Sequence, residues 1–254
     1  MKDSTVKFLA KPRLKKPILI EGLPGMGYVG KLAAEHLIAE LHAEKFAEIY
    51  SPYFPHHVYI EEGGITRPVR NEFYRASSGG KGMIILVGDV QAISPEGHYG
   101  VTDKILDVAE QFGVEQLFTL GGYATGRHHR AKPRVLGVVS HPELVDAYSK
   151  YGIVIEEGGG PIIGAAGLLL GLGKLRGMRG ICLLGETHGI VVDHRSAQAV
   201  LEVLTHILGI KVDVSALELH AKETERIMER VRREMELRER KERGRAEEEA
   251  WYIG

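Results

Sequence analysis

A short glycine-rich turn, from Gly25 to Gly30, is the segment of this 254-residue chain that most suggests ligand chemistry. It matches GxGxxG, follows the apolar run ILI (18–20) and precedes an amphipathic stretch, as in dinucleotide-binding turns, with Glu48 about where a ribose-binding acid would fall. Residues 21–24, however, separate the run from the first glycine, which would hold a phosphate away from the helix start. We therefore favour a packing role for the glycines, with nucleotide binding as the alternative.

A second candidate group follows a later apolar run, where Glu186, His188 and Asp193 stand close together in sequence. A carboxylate beside an imidazole can act as an acid–base pair. The chain offers no nucleophile in a recognisable setting, because GxSxG is absent and both Ser94 and Ser140 precede proline-containing turns. The group alone therefore does not predict an enzyme.

The twelve histidines raise the question of a metal site, since His56-His57 and His128-His129 are adjacent pairs. Adjacent residues of a strand point to opposite faces. The chain has no HExxH motif, and its single Cys182 cannot build a thiolate site. We expect no metal and no cofactor.

Two further segments follow apolar runs and are candidates for binding. The loop from Tyr123 to Arg130 contains Arg127 and Arg130, which can bind a phosphate or an acidic protein surface, or simply be solvated. The segment from Gly158 to Gly167 is rich in glycine and alanine, which favours close helix packing over phosphate binding.

Short apolar runs alternate with amphipathic ones over the first 210 residues, which predicts an α/β layer structure with a parallel or mixed sheet. Helices are predicted at 29–41, 97–112, 142–151, 162–174 and 195–208. Strands are predicted at 17–20, 46–49, 57–60, 71–76, 83–88, 116–120, 134–139, 153–155 and 180–184.

Overall composition limits the partners. The 33 Lys and Arg residues balance 34 Asp and Glu residues, so no global field attracts nucleic acid or a membrane surface. Apolar runs are too short to span a bilayer, and the start lacks a secretory signal, so we expect a cytoplasmic protein. Only five Asn and Gln residues occur, which favours a thermophilic source.

The composition changes sharply after Ile210. Residues 222–249 contain ten Lys or Arg and ten Glu, many of them spaced as favourable i,i+4 pairs. We predict a first domain over residues 1–212 and a charged helical extension over 213–254. The extension is a solvated spacer or, through a weak apolar seam, a coiled-coil contact.

Several motifs together resemble the archaeal branch of the proteasome assembly chaperone family. They occur in family order and span most of residues 17–212. The resemblance implies a three-layer α/β/α sandwich similar to purine nucleoside phosphorylases but without catalysis, a homo-oligomer, and a role with 20S proteasome α-subunits or the α-ring. The matching stretches are EGLPGMGYVGKLAAEHLI (21–38), LVGDVQ (86–91), LGGYATG (120–126), GPIIGAAGLLLGLG (160–173) and LLGETHGIVVDHRSA (183–197).

The last four residues, Trp251, Tyr252, Ile253 and Gly254, are the predicted partner-binding residues. Family relatives can end in a docking motif of a hydrophobic residue, tyrosine and one terminal residue, and here the pair is followed by one residue more. The leading hypothesis is therefore a non-enzymatic assembly chaperone or adaptor that docks through this tail. The alternative is a nucleoside- or nucleotide-binding enzyme that uses the sheet edge and the turn from Gly25 to Gly30.

Overall fold

A nine-stranded mixed sheet forms the centre of the computed structural model, which describes residues 1–126, 131–224, 226, 227 and 230. Two further short strands, Val58–Ile60 and Thr66–Pro68, pair separately as an antiparallel hairpin. The strands are β1 (Thr5–Phe8), β2 (Ile18–Gly22), β3 (Glu44–Tyr50), β4 (Val58–Ile60), β5 (Thr66–Pro68), β6 (Asn71–Ser78), β7 (Lys81–Gly88), β8 (Gln116–Ala124), β9 (Val135–Val139), β10 (Val154–Ile155) and β11 (Arg179–Thr187).

The strand order across the sheet is β1-β3-β6-β7-β2-β8-β11-β9-β10. The four central strands β7, β2, β8 and β11 are parallel, and antiparallel pairs flank them on both sides. Buried apolar residues dominate β2 and β7, as expected for strands covered on both faces. The parallel centre brings the carboxyl ends of β2, β8 and β11 to one edge of the sheet.

Helices cover both faces of this sheet. The five α-helices of the described residues before 215 are α1 (Val29–Glu40), α2 (Pro95–Gln111), α3 (Val145–Ser149), α4 (Ala165–Leu175) and α5 (His194–Leu208). On β11, a Cβ at Gly185 would meet Ser196 of α5, whereas the neighbouring Leu184 packs with Leu170 of α4. Because successive strand residues face opposite sides, the sheet lies between two helix layers.

The helix boundaries follow from capping residues. Ser94 accepts a hydrogen bond from the Gly97 amide at 3.1 Å and starts α2, and Pro95 occupies its first turn. Asp193 accepts a hydrogen bond from the Ser196 amide at 3.0 Å and starts α5. Gly209 ends α5 with φ of 67°.

The nine predicted strands and five predicted helices are present, with shifts of a few residues at their ends, and the α/β class is confirmed. Two strands were missed: β1 at the sheet edge and β5 of the hairpin. The helix predicted over 142–151 is a 3-10 turn, Pro142–Leu144, followed by the short α3. The likeness to purine nucleoside phosphorylases stays a prediction.

The chain divides into two compact units, Met1–Val214 and Ser215–Gly254. Residues 215–224 of the second unit are helical. Most of the predicted charged helix, including its C-terminal part, lies outside the described residues. No helix of the described residues is long and apolar enough to cross a membrane.

Candidate functional site

A cavity of about 510 Å³ opens at the carboxyl edge of the sheet, beside the ends of β2, β8 and β11. Open α/β sheets place their ligand sites at this edge. All five family-like stretches of the sequence contribute to its wall. Its principal lining residues are Glu21, Leu23, Gly25, Met26, Gln91, Leu120, Gly121, Gly122, Tyr123, Leu136, Val138, Glu156, Gly159, Gly160, Pro161, Ile162, Ile163, Ala166 and Leu184.

Glu21 is the buried carboxyl group of this cavity. Its side chain is only 1% exposed, at the end of a strand that is otherwise apolar. Oε1 accepts a hydrogen bond from the Leu23 amide at 2.8 Å, whereas the buried Oε2 has no hydrogen-bond partner among the described residues. Burial raises the pKa of Glu21 to about 8, while the backbone amides of Leu23 and Leu120 act in the opposite direction and lower it. The carboxyl group is therefore mostly neutral near pH 7.

Two polar residues, Thr119 and Cys182, lie in register with Glu21 on the next two strands of the sheet, β8 and β11. Thr119 of β8 is in register with Glu21 of β2 on one side and with Cys182 of β11 on the other. Burial raises the pKa of the Cys182 thiol to about 12, so the thiol is protonated at physiological pH. A protonated, fully buried thiol is a poor nucleophile. The burial of Cys182 therefore does not support thiolate chemistry at this position.

Gln91 connects two walls of the cavity. Its Nε2 donates to the Pro24 carbonyl at 2.7 Å, and its Oε1 accepts from the Ala165 amide at 2.9 Å. The first contact fixes the loop after β2, and the second fixes the start of α4. One side chain thus holds two glycine-rich segments at a set distance before any ligand binds.

The turn from Gly25 to Gly30 packs α1 against the sheet. A Cβ on Gly30 would collide with the Leu120 carbonyl oxygen, and one on Gly22 would collide with the Gly30 backbone. Gly27 has φ of 60°, in the left-handed region that favours glycine. These contacts support the packing role over the dinucleotide-binding alternative.

Glu48 lies far from this turn in the sheet, because β7 and β6 separate β3 from β2. It accepts hydrogen bonds from Lys45 at 3.0 Å and Tyr50 at 2.9 Å. Partial burial opposes its ionisation, yet these bonds and the charge of Arg70 lower the pKa of Glu48. Glu48 is thus part of a surface ion-pair network, and the ribose-binding role that its spacing suggested is wrong.

Glu186 and Asp193 are each engaged in structural contacts. Arg134 Nε donates to Glu186 Oε1 at 3.0 Å, and the Arg134 amide donates to Oε2 at 3.2 Å. Asp193 caps α5, as described above. Within this group, Glu186 pairs with Arg134 and Asp193 caps a helix, so both carboxylates have structural roles.

The remaining candidates are structural or lie outside the described residues. Ser94 caps α2, and Ser140 accepts a hydrogen bond from the Gly180 amide at 2.9 Å and contacts His141 Nδ1 at 2.8 Å. Within the described part of the chain, no three His, Cys, Asp or Glu side chains are grouped to hold a metal ion. Arg127, His128, His129, Arg130 and the tail residues Trp251, Tyr252, Ile253 and Gly254 lie outside the described residues.

Exposed apolar side chains line the cavity at Met26, Tyr123 and Ile163. Ile190 follows Gly189, where a Cβ would contact Met26. Ile163 is 90% exposed and Ile190 is 85% exposed, and Met26 and Tyr123 are about half exposed. We call these four residues the apolar rim. Large exposed apolar groups that cluster at one edge mark surfaces for protein or ligand contact.

The sequence-based search for site residues missed Glu21 and Gln91, although both stand in stretches that carry the family resemblance. A signal for Glu21 was present, because a charged residue ends an apolar run whose other members are all buried. No local pattern distinguishes Gln91, since both of its partners are more than 60 residues away along the chain.

Known proteins resemble this chain along most of its length. The uncharacterized protein MJ1210 of Methanocaldococcus jannaschii is 37% identical over 243 residues, 95% of this chain and 93% of that protein. Pyrococcus furiosus PbaB, an archaeal proteasome activator, has a crystal structure with 46% identity and a TM-score of 0.87, covering 91% of this chain and 100% of that one. P. furiosus PbaA, an archaeal homolog of proteasome-assembly chaperone, gives 29% identity and a TM-score of 0.77, covering 94% and 96%.

The family model named PAC2 family matches residues 19–232, most of the chain and all the stretches on which the resemblance rested. Relatives and family model agree with the family predicted from those motifs. The chain therefore belongs to the PAC2 family.

Proposed function

We propose that this protein is a non-enzymatic, cytoplasmic proteasome assembly chaperone or adaptor. It forms a homo-oligomer and binds 20S proteasome α-subunits or the α-ring through its C-terminal tail. The observation that carries the proposal is the 46% identity to an archaeal proteasome activator over 91% of this chain and the whole of that structure. The proteasome-assembly chaperone homolog with a TM-score of 0.77 supports the same role.

The geometry of the described residues favours protein binding over catalysis. The carboxylates and hydroxyls that could do chemistry cap helices, pair with arginine or bind backbone amides. The apolar rim, in contrast, leaves large side chains exposed at the end of the molecule where the family motifs meet. Apolar and aromatic groups of this kind commonly form the centre of protein interfaces.

The cavity does not favour the nucleotide-binding enzyme. Its lining contains the carboxyl groups of Glu21 and Glu156 and includes no Lys, Arg or His side chain from the described residues. Phosphate sites usually combine positive side chains with backbone amides, and the described lining offers no positive side chain. The turn from Gly25 to Gly30 is already occupied with helix packing.

The tail residues Trp251 and Tyr252 support the docking role by their chemistry. They follow residues 222–249, of which 20 of 28 are charged. No other aromatic residue occurs between residues 222 and 250. Aromatic side chains bury a large area at low entropic cost and dominate small interfaces. Several tails on one oligomer would raise the effective concentration of this contact.

Deletion of residues 251–254 tests the proposal. We expect binding to an immobilised α-ring, measured by surface plasmon resonance, to fall by at least about 30-fold, since the loss of one interface aromatic commonly costs about 2 kcal/mol. A matched control keeps the same four residues in reversed order and should bind as weakly as the deletion.

Light scattering after size-exclusion chromatography measures whether the deletion variant keeps its oligomeric state. An intact oligomer with weak ring binding supports tail docking. Undiminished binding would place the contact on the α/β body, and loss of the oligomer would make the tail a contact between subunits.

A further inference from the structure

We propose that the cavity at the carboxyl edge of β2, β8 and β11 binds a small, uncharged nitrogen heterocycle through the Glu21 carboxyl group. All residues of this site belong to the first compact unit, and its occupancy does not require the proteasome. The proposal rests on four features of the cavity: an unsatisfied carboxyl oxygen, the charge of the lining, the shape of the walls and their fixed spacing.

The unsatisfied oxygen is Glu21 Oε2. Almost every buried polar atom of a native protein has a hydrogen-bond partner, and a buried group left without one is costly. Oε2 has none among the described residues, although Glu21 belongs to a fully buried strand and lines the cavity. A ligand group that reaches the cavity floor would supply the missing partner.

The protonation state of Glu21 limits the chemistry of that ligand group. Burial raises the pKa of the carboxyl group to about 8, so near pH 7 it mostly carries a proton. A neutral carboxyl group both donates and accepts hydrogen bonds. A ring nitrogen or ring carbonyl beside an N–H group, as in adenine and uracil, presents the complementary acceptor and donor.

The charges of the described lining residues do not favour anionic ligands. Apart from Glu21, the charged residue of the described lining is Glu156, which follows β10 and is exposed. Its Oε1 accepts a hydrogen bond from the Gly158 amide at 2.9 Å. No cation of the described residues lines the cavity, so a phosphate or carboxylate ligand would lose hydration without meeting a positive side chain among them. The remaining wall is mainly apolar, which suits an uncharged ring.

The walls leave room for a ring-sized molecule. Gly159 and Gly160 have positive φ, and a Cβ on either would meet no atom within 4 Å, so their backbone borders open space. Tyr123 is 45% exposed at the mouth, where its ring can stack on a second ring. A volume of about 510 Å³ lies within the usual range for small-molecule sites.

The spacing of the walls is set before binding. Gln91 joins the loop after β2 to the start of α4 through two hydrogen bonds, at 2.7 Å and 2.9 Å. A preformed site loses less conformational entropy when a ligand binds. Cys182, in register with Thr119 beside Glu21, is protonated and offers no nucleophile. We therefore expect the ligand to bind without being converted.

Titration of the full-length protein with benzimidazole, uracil and adenine tests the proposal, with ¹⁵N NMR shifts of the glycine amides as the readout. We expect at least one heterocycle to bind with Kd below about 1 mM and to shift residues 121, 122, 159 and 160. Indene, the hydrocarbon of the same shape as benzimidazole, and inorganic phosphate should bind at least about 10-fold more weakly, since each lacks the required hydrogen bond or charge match.

Variants at the two carboxyl groups assign the contact. Glu21→Met keeps the length and removes the hydrogen bond, and we expect about 10-fold or greater loss of affinity. Glu21→Gln retains a donor and an acceptor and should bind within about 10-fold of the parent. Glu156→Gln, on the same cavity, should bind like the parent.

Three results would overturn the proposal. These are no binding by any of the three heterocycles, equal affinity for indene and benzimidazole, or a loss of affinity in Glu156→Gln that equals or exceeds the loss in Glu21→Met. If Glu21→Met does not fold, the comparison of benzimidazole with indene still decides. None of these outcomes depends on whether the tail binds an α-ring.

Discussion

At the scale of single residues, Glu21 makes the stability of the protein depend on pH. Its pKa is about 8 in the folded protein against a reference value of 4.5. The folded state therefore binds more protons than the unfolded state between these values, and folding stability falls as pH rises through this window. Below about pH 4.5 the contribution is fully present, and above about pH 8 it is lost.

Glu21→Gln removes this titration while it preserves the shape of the side chain. We expect the free energy of unfolding of the parent, relative to Glu21→Gln, to decrease by a few kcal/mol between pH 5 and pH 9, since one pKa unit corresponds to about 1.4 kcal/mol. Denaturant unfolding of both proteins at pH 5, 7 and 9 measures the difference. A difference that is constant with pH would show that Glu21 is ionised in the folded protein.

At the scale of elements, the contact between α1 and the sheet depends on Gly30. A methyl group at this position would meet the backbone carbonyl of Leu120, which cannot move without disturbing β8. We expect Gly30→Ala to destabilise the protein by about 3 kcal/mol or more, as severe overpacking does. Thermal unfolding followed by circular dichroism measures the loss.

Gly171→Ala is the matched control, because Gly171 also lies inside a helix but a Cβ there would meet no atom within 4 Å. Alanine is the better helix former by about 1 kcal/mol, so this variant should be as stable as the parent or more so. If both variants lose stability equally, helix propensity rather than close packing governs these positions.

The elements were largely predictable from the sequence, and the site was not. Apolar runs such as those of β2 and β7 are visible as periodicity, and Ser94 and Asp193 mark helix starts. The edge strand β1 has only four residues and pairs on one side, so its pattern is weak. The partnership of Glu186 with Arg134, 52 residues apart, depends on the sheet order, which local patterns do not encode.

The same limit explains the errors at candidate site residues. Glu48 matched a spacing rule for dinucleotide-binding folds, but that rule assumes β3 lies next to β2, and here two strands intervene. Glu21 becomes a site residue only when α4 and the glycine-rich segment before it close over the end of β2. The surroundings of Glu48 and of Glu21 are therefore both set by elements that are distant in sequence, which local patterns do not show.

At the scale of the whole molecule, the first compact unit should fold by itself. It extends to Val214, and its last residues are held by α1: His36 contacts the Asp213 carbonyl, and the Asp213 amide donates to Glu40 at 3.3 Å. We expect a chain that ends at Val214 to unfold in one cooperative thermal transition and to keep its near-ultraviolet circular dichroism. A molten or insoluble product would show that residues 215–254 are required for folding.

The sheet order also sets a sequence of events during synthesis. Ile18 of the central strand β2 pairs with Met83 on one side and with Gln116 on the other. Its second neighbour is therefore made about 100 residues later, which at roughly 5 to 20 residues per second is a delay of roughly 5 to 20 seconds. During that interval a strand destined for full burial has no complete sheet around it, and the nascent chain must be protected from association with other chains.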